Sequence, residues 1–113
     1  MRIVNLEEFR LLPAGVVFMK FQPCVFEDSL LVKQDTMETD FTYQDITQGV
    51  DCVDSNDFCD ILFAAEKDHS ISVSLIVDLI SRDGLFEKNQ LFAVYEQKDI
   101  DRLIGKLKKC KGA

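Results

Sequence analysis

The sequence has no long apolar run, only one histidine and no pair of cysteines at the C-x-x-C spacing. A helix that crosses a membrane needs about 20 consecutive apolar residues, so the first absence predicts a protein with no membrane span. The N-terminal stretch MRIVNLEEFR carries two glutamates where a signal peptide would have its apolar core. We therefore expect a protein of the cytoplasm that is not exported by that route.

The four cysteines are spaced widely and irregularly, at Cys24, Cys52, Cys59 and Cys110. In a chain without an export signal, such spacing favours reduced thiols over a disulfide framework. Zinc sites usually combine closely spaced Cys and His pairs, and His69 is the one histidine present. The sequence thus predicts no zinc site, and we expect no metal or other cofactor.

Basic residues are scarce in the middle of the chain. Between Glu27 and Asp60 there are ten acidic residues and one lysine, a local balance of −9 within a net charge of −7, whereas the last 53 residues sum to +1. Nucleic-acid binding depends on Lys and Arg that displace counterions from phosphates, so this band disfavours direct DNA or RNA binding. We interpret residues 27–60 as an acidic binding surface, with these candidates: Asp40, Asp45, Asp51, Asp54, Asp57 and Asp60.

The stretch DCVDSNDFCD, residues 51–60, has the ligand density of a metal site. An EF-hand calcium loop needs oxygen ligands at its first, third and fifth positions and glycine at the sixth. Counting from Asp51 puts Val53 third, and counting from Asp54 puts Phe58 fifth, with no glycine in either frame. The stretch is better explained as a helix start, capped by Asp54 or Ser55.

Hydrophobic periodicity predicts both helices and strands along the chain. The pattern 71–80 alternates almost without interruption and is the best candidate for a central strand, while the Asp83-Gly84 pair is a strong turn signal. A second turn is predicted at Glu27-Asp28. The predicted helices are 6–12, 56–68 and 98–110, and the predicted strands are 16–21, 29–33, 41–46, 71–80 and 91–96.

Strands that follow one another along the chain favour antiparallel pairing. The chain length of 113 residues suits one domain with its own core. We therefore predict a single α+β domain over residues 1–113, with a mainly antiparallel sheet and about three helices packed on it.

Two patterns leave catalytic alternatives open. The order Asp83, Glu96, Lys98 is similar to the D…E-x-K arrangement of nucleases, in which two carboxylates hold Mg²⁺ and the lysine assists at the phosphate. A Mg²⁺-dependent, nuclease-like enzyme is therefore the alternative function. The string Asp68-His69-Ser70 invites a triad interpretation, but catalytic triads assemble from distant positions, so a surface turn is favoured.

Two longer stretches, LEEFRLLPAGVVFMKFQPCVFEDSLLVK and RDGLFEKNQLFAVYEQKDIDRLIGKL, cover about half the chain. They resemble small proteins of tailed bacteriophages and prophages, a family without an assigned activity. The resemblance implies an accessory protein that acts in the cytoplasm of a bacterial host. It implies no catalytic residue and no ligand.

The charge distribution and this resemblance together predict a function in protein binding. We expect a non-covalent binder that occupies and can inhibit a host protein through residues 27–60. An enzyme is disfavoured, because no complete catalytic set is evident in the sequence. The partner would be a host or phage protein, and a homodimer is a further alternative.

Overall fold

The computed structural model describes residues 1–38, 40–83 and 87–112, with the side chains at 27 and 28 excepted. Six strands and three helices lie within these ranges. Their bounds are β1 (Arg2–Asn5), α1 (Leu6–Arg10), β2 (Val17–Gln22), β3 (Val25–Thr36), β4 (Phe41–Asp45), α2 (Ser55–Lys67), β5 (Ile80–Asp83), β6 (Leu91–Val94) and α3 (Gln97–Cys110).

The strands form one sheet in the order β1-β6-β2-β3-β4-β5. Every neighbouring pair is antiparallel. The late strand β6 lies between the two earliest strands, so segments distant in sequence are paired in the sheet. The predicted α+β class with a mainly antiparallel sheet is confirmed.

The sheet is strongly curled. Lys20 of β2 pairs with Asp83 of β5 at 2.6 Å, although β3 and β4 lie between these strands. In a flat sheet such strands would be roughly 14 Å apart, since neighbours are separated by about 4.8 Å. Register shifts between Phe18 and Lys20, and again between Lys33 and Thr36, supply the bending, because a bulge kinks its strand.

Helix α1 fills the concave side of the curled sheet. Asn5 caps the helix by accepting a hydrogen bond from the Glu8 N–H at 2.9 Å. This places Phe9, which is fully buried, against rings from three different strands. Its ring centroid lies 4.0 Å from Phe92, 4.7 Å from Phe18 and 5.0 Å from Phe41. The aromatic cluster is the centre of the core.

A charged residue, Lys33, is also buried in this core, with 1% of its surface exposed. Its ammonium donates hydrogen bonds to the Leu12 carbonyl at 2.7 Å and to the Thr36 hydroxyl at 2.6 Å. The same nitrogen lies 5.8 Å from the centre of the Phe9 ring. Burial lowers the pKa of Lys33, while the charge of Asp35 opposes that shift.

The three helices differ in how they meet the sheet. Only α1 contains a buried residue, whereas α2 and α3 contain none in the part of the chain described. The radius of gyration is 16.0 Å, compared with about 13 Å for a compact domain of this length. Helices α2 and α3 therefore project from the body. No helix in the described ranges is long and apolar enough to cross a membrane.

The prediction of a central strand over 71–80 is wrong. Only Ile80 belongs to a strand, β5, and β5 lies at an edge of the sheet. Leu75, Val77 and Leu79 are exposed rather than buried. Strict alternation indicates an extended chain, but it does not establish that another layer covers the apolar side.

Other local predictions also need correction. The expected turn at Glu27-Asp28 lies within β3, because the chain reverses earlier, at Pro23 and Cys24, where Cys24 has a φ of 65°. The sequence does not predict strand β1, since four residues are too short for a periodic signal. The Asp83-Gly84 turn falls partly on Gly84, which lies outside the described residues.

Candidate interaction surface on the helical arm

Residues 46–79 connect β4 to β5 and carry α2, and we name this segment the helical arm. The arm begins as a continuation of the β4–β5 pairing: the Ile76 N–H donates to the Gly49 carbonyl at 2.9 Å, and the Asp51 N–H donates to the Ser74 carbonyl at 3.0 Å. A Cβ on Gly49 would lie 2.2 Å from the Ile76 oxygen, so only glycine fits this close approach. Helix α2 is thereby held beyond the end of the sheet.

Two of the aspartates in the 51–60 stretch build the start of α2. The Asp54 side chain accepts a hydrogen bond from the Asp57 N–H at 2.7 Å, and the Asp57 side chain accepts one from the Val53 N–H at 3.0 Å. Carboxylates at these positions satisfy backbone donors that have no partner within the helix. The sequence interpretation of this stretch as a capped helix start is confirmed, with Asp54 as the cap.

Helix α2 exposes three large apolar side chains. Phe58, Leu62 and Phe63 keep 37%, 39% and 59% of their surface exposed. Phe58 and Leu62, four residues apart, are neighbours on the helix surface, whereas Phe63 lies about 100° further round the helix from Leu62. Clustered exposed apolar side chains can mark an interaction surface, whereas scattered ones are normal.

Carboxylates lie beside these apolar side chains. Asp60 and Glu66 are both exposed and lie one helical turn before and after Phe63. The arm as a whole contains seven acidic residues and one lysine, a balance of −6. The surface therefore combines an apolar centre with an acidic rim.

The chemistry around Cys52 does not suit a metal or a nucleophile. Partial burial raises the pKa of the Cys52 thiol, and the carboxylates of Asp57, Asp51 and Asp54 raise it further. A thiol that stays protonated is a weak ligand and a weak nucleophile. Among the residues that the structure describes, no group of three or more His, Cys, Asp and Glu side chains is placed to hold a metal ion.

Asp40, one of the predicted surface carboxylates, is buried, with 5% of its surface exposed. Arg82 donates two hydrogen bonds to it, from Nε to Oδ2 and from Nη2 to Oδ1, the second at 3.1 Å. The hydrogen bonds and the charge of Asp40 raise the pKa of Arg82. Asp40 thus joins the segment before β4 to β5 and does not lie on the exposed acidic surface.

Asp45 anchors the base of the arm. Its Oδ1 accepts hydrogen bonds from the backbone N–H groups of Thr47 and Gln48, both at 2.9 Å. Burial acts to raise the pKa of Asp45, but hydrogen bonds from Thr47, Gln48 and Ser29 outweigh it and hold the pKa below its ordinary value. Of the six predicted aspartates, Asp51, Asp54, Asp57 and Asp60 therefore form the arm's acidic surface, and Asp57 is the half-buried one.

The three residues of the nuclease alternative take part in separate contacts. Asp83 pairs with Lys20 at 2.6 Å across the curled sheet. Glu96 caps α3 and lies 3.3 Å from the amino group of Met1. Lys98 Nζ lies 3.9 Å from Glu96 on the surface. These contacts link Glu96 with Lys98 but give Asp83 a different partner.

The Asp68-His69-Ser70 string forms a turn after α2. The Ser70 hydroxyl donates to Asp68 Oδ1 at 2.6 Å, and this hydrogen bond, together with one from the Ser70 N–H, lowers the pKa of Asp68. His69 is exposed, and its Nε2 lies 3.1 Å from the Glu66 carbonyl. His69 contacts the backbone of its own helix, as a surface turn residue would.

Helix α3 is the second projecting element, and sequence reasoning missed its exposure. Its first turn is held by Asp99, which lies 2.7 Å from the Met1 amino group. This hydrogen bond lowers the pKa of Asp99 and raises the pKa of the amino group. Further along, Ile104 and Leu107 are exposed, the latter by 67%. The only signal of this exposure in the sequence is the number of lysines in α3. So many charged side chains leave little of the helix surface free to pack against the sheet.

Comparison with known proteins gives no relative from which a function could be transferred. No family model, no curated protein and no solved structure matches this chain. The functional interpretation therefore depends on the geometry of the arm and its charges.

Replacing Asp54 with alanine is expected to destabilise α2 by about 1 kcal/mol, because the helix loses its cap. Hydrogen exchange at the amides of residues 58–67 measures this local opening. Asp60→Ala is the matched control, since it removes the same charge from an exposed position beyond the first turn. Equal acceleration of exchange in both variants would contradict the capping role.

Proposed function

We propose that this protein works by non-covalent binding to another protein through the helical arm. The observation that carries the proposal is the exposure of three large apolar side chains, Phe58, Leu62 and Phe63, on a helix that buries no residue of its own. Covering such apolar surface is favourable by about 25 cal/mol per Å². A partner that packs on these side chains would therefore stabilise the arm by burying apolar surface that is exposed in the single chain.

The arm's charge defines the kind of partner it would bind. With a balance of −6, the arm repels acidic proteins and the phosphates of nucleic acids. Its complement is an apolar groove or patch rimmed with Lys and Arg. Opposite potentials accelerate encounter and exclude wrong partners, while the apolar centre supplies affinity.

The resemblance to phage and prophage proteins supports a setting for this activity. In that setting the protein would be an accessory product in the bacterial cytoplasm, and its partner a host protein that the arm occupies and inhibits. Carboxylates placed around an apolar centre can cover a basic surface that otherwise takes phosphates. The arm's acidic surface, formed by Asp51, Asp54, Asp57 and Asp60, supports this mode of binding.

Capture from a bacterial lysate on immobilised protein tests the proposal. Because Leu62 and Phe63 are exposed, Leu62→Gln with Phe63→Gln should leave the sheet folded but abolish capture of the specific partner. Leu11→Gln is the matched control, as Leu11 is 84% exposed outside the arm, and it should retain the partner. Capture should also weaken as ionic strength rises.

Identical capture by the wild type and the arm variant would overturn the proposal. So would cleavage of DNA or RNA by the pure protein with added Mg²⁺, if Glu96→Ala abolished it, since that result would establish the nuclease alternative. Circular dichroism of each variant verifies that a loss of capture does not come from unfolding.

A further inference from the structure

We propose that one occupant of the helical arm is α3 of a second copy of this chain. This inference rests on the proposed function, because it uses the same apolar and acidic surface of α2. It adds the partner: a helix that also exposes apolar side chains and carries charges of the opposite sign beside them.

Helix α3, like α2, exposes apolar side chains, but the charged residues beside them are basic instead of acidic. Ile104 and Leu107 are exposed at neighbouring positions of the helix, and Lys108 and Lys111 lie one turn beyond them. Residues 97–111 contain six basic and two acidic side chains, a balance of +4. Two helices that expose apolar side chains, one among acidic and one among basic residues, are complementary in electrostatic potential.

The fold keeps these two surfaces apart within one chain. Strand directions alternate along the sheet, so β4, which leads into the arm, runs opposite to β6, which leads into α3. The two helices therefore leave opposite ends of the sheet. An acidic surface and a basic surface at opposite ends can meet only between copies.

Each contact joins two different surfaces, α2 of one copy and α3 of another. Two copies that exchange these contacts reciprocally close into a dimer, and copies that do not close form longer chains. Either arrangement covers Phe63 and Leu107, which a single copy leaves exposed. It also neutralises part of the charge separation between the two ends of the molecule.

Sedimentation velocity of the purified protein over a range of concentrations tests this inference. The wild type should exceed the monomer mass at low salt and dissociate as salt rises. Leu107→Gln should reduce association at least about tenfold, because it removes the centre of the contact from a position that is exposed in the monomer.

Exchanging the charges gives a sharper test. Asp60→Lys with Glu66→Lys places lysines beside the exposed apolar side chains of α2, and Lys108→Glu with Lys111→Glu places carboxylates beside Ile104 and Leu107 of α3, so each double variant has like charges beside both sets of apolar side chains. Each alone should sediment as a monomer, and an equimolar mixture of the two should regain the assembled mass. Lys106→Glu with Lys109→Glu is the matched control on the other side of α3, and it should still assemble.

A wild type that stays monomeric at every concentration would overturn this inference, as would a mixture of the exchanged variants that fails to assemble, or a control variant that loses assembly equally. None of these results contradicts the proposed function, which is tested separately by lysate capture with the variant at Leu62 and Phe63. Conversely, if the protein self-associates but captures nothing from lysate, the self-association is supported and the proposal of a host partner is refuted.

Discussion

Replacing Phe9 with alanine is expected to lower the free energy of unfolding by about 3–5 kcal/mol. The ring is fully buried and contacts Phe18, Phe41 and Phe92, which come from β2, β4 and β6. Removing the ring takes away contacts with all three strands and leaves a cavity between them. Because the free energy of unfolding of a domain is only about 5–15 kcal/mol, this variant would lose a large part of its stability.

Phe63→Ala is the control for Phe9, because it makes the same chemical change in a helix at a 59% exposed position. It should change the free energy of unfolding by less than about 1 kcal/mol. Urea denaturation followed by circular dichroism measures both, since the chain has no tryptophan to report by fluorescence. Comparable losses in the two variants would refute the assignment of Phe9 as the centre of the core.

Replacing Lys33 with alanine is expected to cost about 2–4 kcal/mol, because packing is lost and two buried acceptors lose their donor. These acceptors are the Leu12 carbonyl and the Thr36 hydroxyl, which tie the end of the α1 segment to β3. Lys33→Met keeps most of the stem and loses only the donors, so it should cost less. A Met variant as unstable as the Ala variant would show that the donors alone account for the effect.

The pH dependence of this site has a defined sign. The pKa of Lys33 is lowered from its ordinary value of 10.5, so the unfolded chain binds more protons than the folded one between the two pKa values. Wild-type stability relative to Lys33→Met should therefore rise as pH increases through the folded pKa toward 10.5. Urea titrations of both proteins at several alkaline pH values measure this difference in stability. If the wild type became less stable relative to Lys33→Met as pH increased, the lowered pKa of Lys33 would be contradicted.

The elements that the sequence predicts well are those whose pattern is produced by local physics. Helix α3 and the start of α2 have caps and periodic apolar stripes, and both occur within a residue or two of the expected bounds. The pattern does not specify which surface packs against the apolar side of a helix or strand. The segment 71–80 alternates like a buried strand, yet it belongs almost entirely to a projecting arm, because nothing in the alternation specifies a second layer.

The candidate site shows the same division. The acidic density around residues 51–60 is visible in the sequence, and so is the cap at Asp54. The separation of Asp40 from the surface is not, because its burial depends on Arg82, which is distant in sequence and reaches it only through the pairing of β4 with β5. Lys33 is hidden for a similar reason: its partners lie at the end of the α1 segment and on its own strand.

The position of β6 between β1 and β2 bears on how the chain is made. During synthesis, β1, α1 and β2 leave the ribosome long before β6, which supplies the pairing surface for both strands and the stacking partner of Phe9. The core therefore cannot close until β6 has emerged. Pairing between such distant segments is also slow, because a large loop must be ordered first. The nascent protein consequently leaves Phe9, Phe18 and Phe41 uncovered until this four-residue strand has emerged, and transiently exposed apolar surface of this kind is prone to aggregation.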